Sequence, residues 1–408
     1  MRIFHVARRF TPSAWGGTEA VVTALVREQR KAGHEADVLS TSALDRPGRD
    51  EVLGVPVRRF GYTYAHWPLS AAARNALDRK GGNPLSAGML RTLLTEPRVD
   101  LVHCHTMQRL AGQVRWAARR RGIPYVVQLH GGEFRVPEAE LREMLAPSQG
   151  SLDWGKVPSA LLGTRRFLAD ADLILVLSHE EEDAGRQCLP GVRIERLPNG
   201  VDPERFTAGN GARARERWGV PPNAPLLLTV ARVDPQKGQL LLPEVLAACP
   251  DAHAVAAGPT TVPGYDEKVL TRARELGVAA RLHLTGGIPP ETIELADLYR
   301  AADIFVLPST HEPFGIVVLE AWASGLAVVG SRVGGLGELI RDGVDGLLVP
   351  PADGAALAAA VAALLADEPG RRALAASGRE EVLARYTWPT VAASLDALYR
   401  EILERRRP

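Results

Sequence analysis

The chain has 408 residues, 46% hydrophobic and 24% charged, with 49 basic side chains against 48 acidic ones. That size and balance suit a soluble globular protein of two or three domains whose core needs no disulfide or metal staple, and they argue against a nucleic-acid binder, which would be basic throughout. The charge is uneven, with residues 1–199 net basic and residues 200–408 net acidic, which points to different partners for the two halves.

The start, Met1–Phe10, is too short and too charged for a secretory leader, and no apolar run approaches the ~18 residues that span a bilayer. Cys104, Cys188 and Cys249 are few and widely spaced, as reduced core residues of a cytoplasmic protein would be. Any membrane contact is expected to be peripheral. The arginine clusters Arg8-Arg9, Arg58-Arg59 and Arg119–Arg121 are its candidates, toward anionic lipid or an anionic acceptor, or they are a solvated face.

In chain order, a strand at Ile3–Ala7 leads through Thr11-Pro-Ser-Ala-Trp-Gly16-Gly17 into a helix ending near Ala32. Paired glycines there would let backbone approach a ligand. Further strands are expected at Val55–Phe60, Leu101–His103, Tyr125–Leu129 and Leu173–Leu177, with helices such as Ala111–Arg121 between them. His103 and His105 have ligand-like spacing, but no carboxylate accompanies them, so they are expected to be structural and no zinc site is expected. His130, beside Gly131 and Gly132 at a strand's carboxyl end, is placed to meet a sugar hydroxyl. Residues 133–164 form a long stretch of unassigned role. Asp170-Ala-Asp172 falls at the amino end of a strand, the wrong edge for a ligand, and Glu180–Asp183 suits the first turn of a helix.

The pattern breaks at Leu197–Pro203 and the Gly/Pro/Asn-rich 207–225, then resumes with strands at Leu226–Ala231, Ala252–Ala256, Ile304–Leu307, Ala327–Gly330 and Gly346–Val349. Buried strands alternating with helices mark parallel α/β sheets. The break divides the chain into domains at 1–199 and 200–388, with a last helix over 389–408 able to pack on either. Arg232 and Lys237 bracket a turn after a strand, where an arginine fork and a compact ammonium suit a diphosphate. Only five of the 49 basic residues are lysines; base-composition bias accounts for most of this, though a lysine at 237 adds slight weight.

Glu312 and Glu320 stand eight residues apart around Pro313-Phe314-Gly315-Ile316. Pro313 fits a first helical position, which would leave the N–H groups of Phe314, Gly315 and Ile316 as donors at a positive helix end. Eight residues of helix rise about 12 Å, so one carboxylate would meet a sugar and the other a ribose diol. Gly334-Gly-Leu-Gly337 is an incomplete dinucleotide fingerprint, so no nicotinamide cofactor is expected.

Taken together, Gly16-Gly17, His130, Asn199-Gly-Val-Asp202, Arg232 with Lys237 and Glu312-x7-Glu320 resemble the family 4 retaining glycosyltransferases of the GT-B fold, in order and over nearly the whole chain. The resemblance implies two Rossmann-like, doubly wound domains facing each other across a cleft. The first would bind the acceptor and the second a nucleotide diphosphate sugar, the transfer retaining configuration without metal or other cofactor. It assigns the diphosphate to Arg232 and Lys237, the ribose to Glu320, and the donor sugar to Glu312 with the backbone of Phe314, Gly315 and Ile316. His130 would touch that sugar from the other domain, and Gly16-Gly17 would close over phosphates or acceptor. The acceptor would be a glycan, a lipid-linked or a small molecule, in glycan, glycolipid or surface polysaccharide synthesis. A sugar-nucleotide epimerase or a glycan phosphorylase on the same fold are alternatives, as is a non-catalytic two-domain sugar binder.

Overall fold

The structure, a computed structural model, describes residues 1–131, 146–289 and 292–406. The chain divides into two compact units, one of Met1–Pro198 with Ala392–Pro408 and one of Asn199–Val391.

The first unit is built on an eight-stranded sheet of β1 (Arg2–Ala7), β2 (Glu35–Thr41), β3 (Gly48–Val52), β4 (Val55–Phe60), β5 (Leu101–Cys104), β6 (Tyr125–Gln128), β7 (Leu173–Val176) and β8 (Ile194–Arg196). The spatial order is β8-β7-β6-β5-β1-β2-β4-β3, parallel throughout except for the antiparallel edge strand β3. β5, β6 and β7 are buried at every residue, as strands covered on both faces must be. Phe4, Val102, Val127 and Ile174 join one core on the sheet. Each such side chain withdrawn from water contributes about 1.5–3 kcal/mol.

The second unit carries β9 (Leu226–Val230), β10 (His253–Ala257), β11 (Leu282–Gly286), β12 (Ile304–Leu307), β13 (Ala327–Ser331) and β14 (Leu347–Val349). All are parallel, in the order β11-β10-β9-β12-β13-β14. Leu227, Val306 and Val329 share its core with Val245 and Leu246. Against it, the indole of Trp322 donates to the Asp345 carbonyl at 2.8 Å. The backbone at Gly378 packs so tightly on that ring that a Cβ there would lie 2.2 Å from it.

In both sheets the chain runs outward from a central strand, to one side and later to the other. In the first, β1 lies between β2 and β5; in the second, β9 lies between β10 and β12. Ligands of open α/β sheets bind beyond the carboxyl ends of strands at such a reversal.

Candidate active site

In the second unit the reversal brings together two loops that are far apart in sequence. Asp234, 4% exposed at its side chain, organises the loop after β9. Its Oδ1 accepts from the Gln236 N–H at 2.9 Å. Its Oδ2 pairs with Arg232 Nη1 at 2.9 Å and accepts from Thr261 Oγ1 at 3.1 Å. The Arg232 guanidinium is thereby tethered at one edge, while 46% of the side chain stays exposed.

Gly238 takes the left-handed conformation (φ 69°), and a Cβ on it would stand 2.1 Å from the Pro308 carbonyl oxygen. The Thr310 N–H donates to the Gln236 carbonyl at 2.8 Å. These contacts set the loop after β9 against the loop after β12, and Lys237 Nζ meets Glu312 Oε2 at 2.7 Å. The ammonium also reaches the His311 carbonyl at 3.4 Å. An ammonium has three N–H groups, so one remains for a ligand. Both side chains are 12–14% exposed, sheltered enough for the pair to resist salt screening.

Helix α1 here denotes Gly17–Lys31, α2 Gln108–Arg121, α3 Glu294–Ala301, α4 Ile316–Ala323, α5 Glu368–Arg385 and α6 Trp388–Arg405. α4 begins at Ile316 with Gly315 as its cap (φ 93°), which corrects the expectation of a helix starting at Pro313. Glu312 and Pro313 lie in the loop before it. Glu320 is only four residues into α4, about 6 Å along its axis, so two helical turns do not separate the carboxylates. Left-handed backbone at Gly315 ends the loop sharply, and that is why the helix starts late.

A second glycine pair fixes this loop. The Gly335 N–H donates to the Glu312 carbonyl at 2.9 Å. A Cβ on Gly335 would lie 2.2 Å from the Pro313 carbonyl oxygen, and one on Gly334 would lie 2.7 Å from that of Glu312. Gly334-Gly335 is therefore the floor under Glu312. Phe314 is buried beside it, its ring 6.3 Å from that of Tyr386. Glu320 accepts a 2.7 Å hydrogen bond from the buried Tyr299 hydroxyl on α3. Burial raises its carboxyl to about 7, against the opposing pull of that hydroxyl and of the Arg205 charge.

In the first unit a cavity of about 300 Å³ opens at the carboxyl ends of β1, β5 and β6, and His130, Arg8, Arg9, Glu19, Gly82 and Gln108 are among its lining residues. Arg8 donates to the carbonyls of Leu77 and Asp78 at 3.0 and 2.9 Å. Arg9 joins them on Asp78 and Arg79, and pairs with Glu19 at 3.1 Å. Gln108 opens α2 with φ 63°, a conformation disfavoured outside glycine that proteins keep where a site demands it. Burial lowers the His130 ring to about 4, so it is neutral at physiological pH, and its Nε2 lies 3.1 Å from His105 Nδ1. Gly16 caps α1 in extended conformation and Gly17 is its first residue. A Cβ on Gly17 would meet nothing within 4 Å.

The structure thus places Arg232, Lys237, Glu312, Phe314, Gly315, Ile316 and Glu320 in the second unit and Gly16, Gly17 and His130 in the first. Asp234, Thr261, Tyr299 and Gly334-Gly335 support them in roles the sequence does not show: Asp234 shapes its own loop and bonds Thr261, and the others act through contacts between segments distant in sequence. Most of the basic clusters serve internal bonds. Arg58 pairs with Asp37 and Glu96, Arg59 with Asp50, and Arg121 holds two carbonyls; Arg119 and Arg120 are the exposed members, Arg119 lying 3.6 Å from Asp170. Cys188 is exposed, not a core residue like Cys104 and Cys249. Asp170 and Asp172 bond arginines and a backbone N–H. Of the 133–164 stretch, residues 133–145 lie outside the described residues. Among the described residues no helix is long and apolar enough to cross a membrane.

Residues 212–381 match the family model of glycosyl transferases group 1, and residues 16–200 match that of the glycosyl transferase 4-like domain. The chain is 34% identical to D-inositol 3-phosphate glycosyltransferase 2 of Catenulispora acidiphila, over 95% of this chain and 91% of that protein. It is 35% identical to the D-inositol 3-phosphate glycosyltransferase of Geodermatophilus obscurus, over 95% and 85%. Among solved structures, sucrose-phosphate synthase of Thermosynechococcus elongatus aligns with a TM-score of 0.74 at 23% identity, over 99% of both chains. Anabaena HepE in complex with UDP-glucose aligns at 0.72 and 20% identity, over 98% of this chain and 100% of that one.

Proposed function

We propose, for a chain that belongs to the glycosyl transferases of group 1, a retaining transfer of a hexose-type sugar from a nucleotide diphosphate donor to an acceptor hydroxyl, with no metal ion in the transfer step. One observation carries the reading. Lys237 and Glu312 are held 2.7 Å apart beyond the carboxyl ends of the two strands where the second sheet reverses, with the half-exposed Arg232 on the same loop. Cations fixed there match the charge that develops on a departing diphosphate, and such preorganised charge supplies much of the rate enhancement in many enzymes.

Arg232 grips diphosphate oxygens as a fork, and Lys237 adds its remaining N–H. Glu312, oriented by Lys237 and by Gly335 beneath it, receives hydroxyls of the donor sugar together with the backbone N–H groups of Phe314, Gly315 and Ile316. Glu320 receives the ribose diol. The bond from the anomeric carbon to the phosphate oxygen breaks, the bond to the acceptor oxygen forms on the same face, and the leaving phosphate takes the acceptor proton. No side chain acts as general base. His130 contacts the donor sugar from the first unit, whose cavity receives the acceptor beside Gly16-Gly17.

For the substrates, the relatives named as D-inositol 3-phosphate glycosyltransferases support a small polyol phosphate as acceptor, and the structural neighbour crystallised with UDP-glucose supports a uridine donor. Arg8 and Arg9 on the cavity wall fit an anionic acceptor.

The test is a panel of nucleotide sugars assayed for acceptor-dependent release of nucleoside diphosphate with inositol 3-phosphate, with NMR of the anomeric proton of the product. We expect retained configuration and rates independent of added Mg2+ or Mn2+. Lys237→Ala should lower kcat by about 10²–10³-fold. A Lys237→Ala rate within threefold of wild type, or an inverted product, overturns the reading.

A further inference from the structure

Behind the acceptor cavity the first unit buries a cluster of histidines for which the transfer reaction has no use. His5 on β1 and His103 on β5 are direct partners in the parallel register. His105, two residues on, shares their face because the pleat repeats every second residue. All three are buried, with ring centroids 5.1, 5.2 and 4.1 Å apart.

Each ring has one nitrogen held by a different outer partner. His5 Nε2 lies 2.7 Å from Gln29 Oε1, His105 Nδ1 lies 3.1 Å from His130 Nε2, and His103 Nδ1 lies 2.6 Å from the Tyr399 hydroxyl. Of the other three nitrogens, His5 Nδ1 and His105 Nε2 are 2.9 Å apart, and His103 Nε2 is buried with no hydrogen-bond partner. One nitrogen from each ring falls within 4.8 Å of the other two. A buried polar nitrogen normally has a partner, and none of the described residues supplies one to His103 Nε2.

We propose that His5 Nδ1, His103 Nε2 and His105 Nε2 bind one divalent transition-metal ion of the zinc type, with a water in the fourth position. The donor set is that of three-histidine zinc sites, and oxygen-seeking Mg2+ or Ca2+ would not take it. Gln29, Tyr399 and His130 are the outer hydrogen-bond partners that such ligands require, each fixing a ring's orientation and tautomer. Zn–N bonds of about 2.0–2.1 Å separate tetrahedral ligands by about 3.4 Å, so the His5–His105 contact needs to open by about half an ångström.

Binding moves protons without releasing any. Without the metal, Gln29 Oε1 accepts from His5 Nε2–H, which makes His5 Nδ1 an acceptor for His105 Nε2–H and His105 Nδ1 an acceptor for His130 Nε2–H. A metal on His105 Nε2 sends that ring's proton to Nδ1, which then donates to His130 Nε2. The proton of His130 shifts to its own Nδ1. On His103 the proton likewise moves to Nδ1 and is donated to the Tyr399 oxygen. Occupancy therefore reverses what His130 offers, from acceptor to donor at Nδ1.

The experiment uses the full chain without a polyhistidine tag, equilibrated with equimolar Co2+ or Zn2+, desalted and analysed by mass spectrometry for metal. We expect about one ion per chain, a visible Co2+ spectrum of tetrahedral intensity, and a change in the ¹⁵N shifts of the His130 ring from the Nε2–H to the Nδ1–H tautomer. His103→Gln and His5→Asn should each cut retention at least tenfold, and His179→Asn, on an exposed histidine, should leave it unchanged. Wild-type protein that retains less than about 0.1 ion per chain overturns the proposal and leaves a purely hydrogen-bonded chain. Folded variants that keep full stoichiometry overturn it equally. Should both variants unfold, the Co2+ spectrum and the His130 shifts of the wild type decide.

Discussion

Among single residues, Glu320 joins a buried carboxyl to the ribose-binding role proposed for it, and pH can separate the two. Its carboxyl is raised from 4.5 to about 7, chiefly by burial, so between those values the native chain holds a proton that the unfolded chain has released. The stability tied to this proton is complete below about pH 4.5 and is lost as pH rises through 7. Glu320→Gln, which carries no charge to bury, should raise the unfolding midpoint by a few degrees at pH 8 and leave it nearly unchanged at pH 4.5. Calorimetry at the two pH values checks this. Donor binding should run the opposite way, because only the ionised carboxylate accepts from both ribose hydroxyls. The donor KM of the wild type should fall as pH rises from 6 to 8, and the variant should show a higher KM with that dependence removed. A shared trend in stability and KM would contradict this assignment.

At the scale of elements, what matters is how loops after neighbouring strands support one another. Gly335→Ala would force a Cβ to 2.2 Å from the Pro313 carbonyl oxygen, whereas at Gly337 a Cβ has its nearest neighbour, Arg332 Cγ, at 3.9 Å. Gly335→Ala should therefore displace Glu312 and lower kcat at least tenfold, and Gly337→Ala should keep activity within about twofold; parallel steady-state kinetics distinguish them. This pair also shows how far the sequence could be read. Gly334-Gly335 invites comparison with a cofactor fingerprint, yet its function is to let backbone pass under a loop about 20 residues upstream, a contact with no local signature. Arg232, Lys237, Glu312 and Glu320 were legible because their chemistry is unusual after strands. The Lys237–Glu312 ion pair spans 75 residues and follows only from the strand order. Strands with long Val/Ile/Leu runs were evident. β2, β3, β8 and β11 were not, since Glu35-Ala-Asp37 and Gly48-Arg-Asp-Glu51 interrupt the apolar pattern and the last two are short or only half buried. His5 carries no local signal for a related reason: its partners are on another strand, and only register shows it beside His103.

For the whole molecule, the decisive feature is that the first unit is discontinuous. Residues from Ala392 onward return to it, and α6 fastens them there. Tyr399 bonds His103 at 2.6 Å, Asp396 pairs with His34 at 2.7 Å, and Glu401 pairs with Arg193 at 2.8 Å. Tyr399→Phe should strip His103 Nδ1 of its partner and cost about 1–3 kcal/mol. Chemical denaturation should register the loss in the transition of the first unit, with the transition of the second unchanged. The same arrangement dictates an order of events on the ribosome. Tyr399 emerges 296 residues after His103, which at roughly 5–20 residues per second is a delay of about 15–60 s. The second unit is complete by Val391, while the first, although made earlier, must wait with its histidine face uncovered. The unit whose synthesis begins first is thus the one whose last pieces arrive after the other has emerged.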